Sequence, residues 1–154
     1  MISLLAAHRP TDWNFPLFVH VLGAMILVGG LLAGASLITF ARGDTRFLRL
    51  GYWALLLVAL PGYLVMRIGA QWIYSKEGWD DLPDAEIPTW IDLGFIIADL
   101  GALLTVIALV VGGIGVRRLR DGKGRGLLKA SMVIAWLVLL AALVAVWAMA
   151  GKPD

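Results

Sequence analysis

Four stretches of this chain are long, apolar and poor in charge: residues 13–41, 47–74, 90–116 and 127–150. Each is long enough to cross the hydrocarbon core of a bilayer, roughly 30 Å thick, which takes about 20 helical residues. In hydrocarbon every backbone N–H and C=O must be satisfied within the protein, so an apolar run of this length folds as a helix. The four runs and their short connections consume nearly all of the 154 residues. The pattern predicts an all-α, polytopic membrane protein, a four-transmembrane-helix bundle forming one membrane domain over residues 1–154, with an outer loop at 75–89. Hydrophobic residues make up 60% of the chain, above the roughly 45–50% of soluble domains, so a soluble fold of this size has no core large enough to hide them. The first run is far longer than a secretory signal core of about 7–15 residues and is expected to be retained as a span.

Charge sets the expected orientation, because Lys and Arg concentrate in cytoplasmic loops. Arg42, Arg46 and Arg49 mark the first connection, and Arg117, Arg118, Arg120, Lys123, Arg125 and Lys129 the third. Between them the second connection carries Glu77, Asp80, Asp81, Asp84, Glu86 and Asp92 against Lys76 alone. Both termini are therefore expected outside, N-out and C-out. Trp72, Tyr74, Trp79 and Trp90 flank the acidic loop, as amphipathic rings do at the headgroup level. The net charge of +2 is explained by this topology, with the lipid bilayer as partner and no nucleic acid. The chain has no cysteine and only two histidines, which excludes thiolate metal sites, cysteine nucleophiles and a histidine-rich metal centre. It also has no Walker loop, dinucleotide fingerprint, metalloprotease helix or Gly-x-Ser-x-Gly elbow.

An ionisable residue inside a span is expensive, faces the bundle interior and marks a site. His20, Arg67 and Asp99 are such residues, and by helical rise all three lie about 10–14 Å in from the outer ends of their helices. His20, Gly23, Leu27, Gly30 and Gly34 share one face of the first helix, whose small residues invite close approach of a neighbour. Tyr63, Arg67, Gln71 and Tyr74 make a polar and aromatic stripe on the second. Asp92 and Asp99 share a face of the third, while Gly94, Ala98, Gly101, Thr105, Ala108 and Gly112 form a second, small-residue stripe on it. The expectation is a water-accessible polar pocket opening outward, with Arg67 paired to Asp99 and His20 beside them, and Tyr63, Gln71 and Asp92 completing the cluster. Two faces on the third helix raise the expectation of a homo-oligomer or a larger membrane complex. Pro61-Gly62 should bend the second helix, and the fourth helix reads as scaffold.

The string Phe18-Val19-His20-Val21-Leu22-Gly23-Ala24, followed by Gly29-Gly30, resembles the opening helix of small bacterial membrane proteins related to the copper-resistance D family. The resemblance implies a four-helix or larger bundle, an inner-membrane location and association with metal or haem, with His20 as the one residue carried over. A weaker similarity is to four-helix membrane protoporphyrinogen oxidases, which also have an early helix with a histidine. The expected function is a non-enzymatic subunit or a small-ligand or ion-handling protein of the bacterial cytoplasmic (inner) membrane. The alternative is a membrane haem-binding protein or redox enzyme, with His20 an axial ligand of haem b, Met25 or Met66 a second ligand, and Arg67 towards a propionate.

Overall fold

The computed structural model describes residues 14–83 and 87–151. His8, Trp13, Asp84, Glu86 and Pro153 lie outside the described residues. Among those described, four helices are long and apolar enough to cross a membrane: α1 (Asn14–Thr39), α2 (Thr45–Lys76), α3 (Thr89–Arg118) and α4 (Arg125–Gly151). Their ends fall within a few residues of the expected runs. Large apolar side chains such as Met25, Phe40, Leu57, Leu103 and Trp147 point outward all round the bundle, as a protein solvated by lipid requires. Two tight turns, at residues 40–44 and 119–124, lie at the arginine-rich end of the bundle, here called the basic end. The loop between α2 and α3 lies at the other, acidic, end.

Local chemistry ends and restarts each helix. The Thr39 hydroxyl donates back to the Ala35 carbonyl at 2.8 Å, and the chain then turns through Arg42 and Gly43, both at positive φ. Asp44 caps α2 by accepting the Arg46 backbone N–H at 2.8 Å. Within α2, Leu55–Ala59 is a π turn, where the Leu60 N–H reaches the Leu55 carbonyl. The turn lies immediately before Pro61, which has no N–H to give and whose ring would crowd the carbonyl four residues earlier. The wider turn is how this helix absorbs the expected proline defect.

The helices pack as two antiparallel hairpins, α1 with α2 and α3 with α4, joined through α1 and α4. Along α1 and α2 the backbones touch, because the facing positions lack side chains. A Cβ on Gly30 would sit 2.5 Å from the Ala59 nitrogen, and one on Gly62 2.5 Å from the Leu27 nitrogen. Gly23 lies against Met66, and Gly69 against His20, in the same way. The small-residue stripe of α3 is covered within the chain: Gly94 by Met149, Gly101 by Val138, and Gly112 by Ser131 and Tyr52. That stripe needs no second copy.

The main buried apolar cluster lies in the basic half. Leu27, Leu31, Ala35, Ile38, Leu55, Ala59, Leu109, Leu128, Ala135, Val138 and Leu139 form it. In the acidic half the seam between α2 and α3 is the loosest in the bundle, and side chains rather than backbones bridge it.

Candidate functional site

The glycine contacts of α1 with α2 decide where His20 sits. Because Gly69 brings α2 against the His20 backbone, the His20 ring spans to the other helix, and its Nδ1 lies 3.0 Å from the Met66 carbonyl oxygen. A carbonyl can only accept, so Nδ1 carries the proton and donates; in the neutral ring Nε2 then keeps its lone pair. No other hydrogen bond to His20 occurs among the described residues.

Across the α2–α3 seam, Arg67 Nη2 and Asp99 Oδ1 are 3.0 Å apart. The two ends of the pair are in different surroundings: the Arg67 side chain is 28% exposed and that of Asp99 64%. Asp99 therefore faces the bundle's surface, while the guanidinium lies against the interior with its Cζ 4.6 Å from the centre of the Phe95 ring. Arg67 Nη1 is buried and makes no hydrogen bond of ordinary geometry among the described residues, although the Tyr63 hydroxyl also interacts with the guanidinium. The Tyr63 hydroxyl lies in the field of both charges and donates a long, 3.4 Å, hydrogen bond to the Ala98 carbonyl. Tyr74 stacks edge-on against Phe95, with ring centres 5.2 Å apart, and closes the seam toward the acidic end.

Behind this seam the bundle is hollow. An inner cavity of about 90 Å³ is lined by His20, Tyr63, Arg67, Gly101, Val138 and Ala142 among others. A larger cleft of about 680 Å³ opens toward the acidic end past Tyr74, Glu77, Trp79 and Trp90. His20, Ala24, Val28, Ala70, Phe95, Val146 and Met149 line both, so the two are parts of one space with His20 at their junction. At the mouth, Trp79 is fixed by donating its indole N–H to Glu77 at 2.6 Å.

His20, Tyr63, Arg67 and Asp99 thus come together, but Gln71 and Asp92 do not. Both are exposed on the surface of their helices and make no side-chain hydrogen bond or ion pair among the described residues. The space is also different in kind from the polar pocket expected. Its walls are mostly Ala, Leu, Val, Phe and Met, with polar groups only at a few points. The reason is α4, read from its sequence as scaffold: Ala142, Ala145, Val146 and Met149 supply an apolar wall opposite the polar stripe of α2. Small residues there leave space, and nothing in their pattern distinguishes lining a cavity from packing a core. Among the described residues, no three His, Asp or Glu side chains gather where they could hold a metal ion.

Comparison with protein-family models, with curated proteins and with solved structures found no match.

Proposed function

We propose that this chain is a multi-pass protein of the bacterial cytoplasmic (inner) membrane, N-out and C-out, that binds a small, largely apolar ligand in the space beneath its outer loop and is not itself an enzyme. The observation that carries this reading is the cleft of about 680 Å³ with His20 on its wall. Ligand sites are typically concave, mostly apolar and supplied with a few well-placed polar groups, which describes this space better than an ion path, whose walls would be polar. The orientation rests on the arginines of the two tight turns against the acidic residues of the second connection. It places the cleft's mouth at the outer headgroup level, beside Trp79 and Trp90. Arg67 is nine residues from Lys76, the end of its helix, or about 13 Å by helical rise, so the ion pair lies just inside the hydrocarbon. A charged pair is costly there and is retained where it serves a site or its shape.

Two measurements test the reading. The chain has no cysteine, so single cysteines at Asp80 and at Lys123 are clean reporters: a membrane-impermeant maleimide on intact cells should label the first and not the second. In nanodiscs, tritiated decylbenzene should bind above the level of empty discs, and Ala24→Phe, which fills the junction of the two cavities, should abolish that binding. Equal binding by the filled variant would refute the site.

One observation favours a second reading, haem binding. Metal-ligating histidines commonly donate their other ring N–H to a carbonyl, as His20 does to Met66, and the Met149 thioether lines the same space. Purified protein with a Soret band that disappears in His20→Ala would establish it, and a colourless protein would eliminate it.

A further inference from the structure

The hydrogen-bonding groups that the cavity leaves unanswered define a ligand class, and this step rests on the reading of the cavity as a binding site. Arg67 lines the inner cavity; its Nη2 is engaged by Asp99, while its Nη1 is buried with no hydrogen bond of ordinary geometry among the described residues, only the Tyr63 hydroxyl interacting with the guanidinium. A guanidinium nitrogen withdrawn from water calls for an acceptor. Asp99 already balances the charge, so an anionic ligand would leave one negative charge uncompensated in an apolar wall. The acceptor that fits is neutral. The neutral His20 ring has the opposite need: with Nδ1–H committed to Met66, its Nε2 can only accept, and its complement is a hydroxyl. Around these two groups the space is apolar and rich in rings, with Phe95, Tyr74, Trp79 and Trp90 on its walls, which suits a flat ring with an aliphatic substituent.

We infer that the cavity binds a lipid-soluble quinol or quinone, a neutral ring whose oxygen accepts from Arg67 and whose hydroxyl donates to His20, with its alkyl tail along the apolar walls. The two redox forms are not equivalent. A quinol oxygen accepts from Arg67 and a quinol hydroxyl donates to His20, so the reduced form satisfies both groups. A quinone carries only acceptors and satisfies Arg67 alone. The reduced form is therefore preferred. Only binding is assigned, with no electron transfer.

The test uses the full chain in nanodiscs and four ligands with one tail: decylbenzene, decyl-1,4-benzoquinone, its quinol under anaerobic reducing conditions, and decylbenzenesulfonate. The expected order is quinol tighter than quinone, quinone tighter than decylbenzene, with about tenfold at each step and the sulfonate no better than decylbenzene. His20→Phe should erase the quinol–quinone difference, and Arg67→Met combined with Asp99→Leu should erase the quinone–decylbenzene difference. Decylbenzene binding as tightly as the quinol would overturn the inference while leaving the apolar site intact. The sulfonate binding tightest would overturn it in favour of an anion site. If none of the four bound above empty discs, the site itself would fall. The ligand series on the unaltered chain decides these outcomes even where a variant does not fold.

Discussion

The basic and acidic halves of the bundle are made by the same four helices from similar residues, yet one half is packed and the other hollow. In the basic half Tyr52 of α2 lies on Gly112 and Gly113 of α3, and leucines from α1, α2 and α4 fill the centre. In the acidic half the facing residues are Tyr63, Arg67 and Tyr74 on α2 and Phe95 and Asp99 on α3, which meet tip to tip and hold the helices apart. The contrast shows what makes a cavity in an apolar bundle. Long side chains on one seam prop it open, and alanines on the opposite wall fail to fill the space behind.

Large substitutions expose the contrast most strongly. Ala135 is 1% exposed in the packed half, so Ala135→Phe should cost about 3 kcal/mol or more, or prevent folding. Ala24→Phe enters the hollow half and should cost less than about 1 kcal/mol, read by unfolding in detergent mixed with dodecyl sulfate. Equal costs would show that the acidic half closes in the membrane. Truncation should follow the same division: Leu128→Ala, at a fully buried position, should lose about 2 kcal/mol in the same assay, and Val146→Ala far less.

Next in size is the ion pair. Asp99→Leu leaves Arg67 without its counter-charge and should cost about 1–2 kcal/mol, discounted because Asp99 is mostly exposed. Adding Arg67→Met should restore part of that loss, giving a coupling of about 1 kcal/mol in a double-mutant cycle. Strict additivity would mean that the two side chains are neighbours without being partners. The smallest effects belong to the hydroxyls of Thr105 and Ser131, buried without hydrogen-bond partners among the described residues on the packed seam between α3 and α4. Thr105→Val and Ser131→Ala should each change stability by less than about 0.5 kcal/mol, because no hydrogen bond is lost.

Much of this was legible before any coordinates. Length and apolarity defined the helices to within a few residues, and helical depth and face placed Arg67 opposite Asp99 and turned His20 towards a neighbouring helix. The stripe Gly23–Leu27–Gly30–Gly34 announced its contact. Three features had no such signal. A π turn differs from an α turn by one hydrogen-bond step, and Pro61 marks that something must yield without saying what. Gln71 and Asp92 share the stripes of Arg67 and Asp99, but a stripe defines a direction only to within a wide sector, and both fall on the exposed side. The cavity itself depends on volumes summed across four helices, so Ala142 and Ala145 read alike as filler and as void.

The contact between α1 and α2 has one last consequence. Ile38 meets Gly51, Gly34 meets Leu55, Gly30 meets Ala59, Leu27 meets Gly62, Gly23 meets Met66 and His20 meets Gly69, and in every pair the residue numbers have the same sum. The π turn lies inside this series without breaking it. The two helices therefore behave like the arms of a folded tape, and tolerance to length change becomes a matter of position. A residue added at the fold, beside Arg42 and Gly43, moves every pair equally and can be taken up by the turn. One added between Gly23 and Gly30 divides the tape, sliding His20 off Gly69 while Gly34 keeps its place.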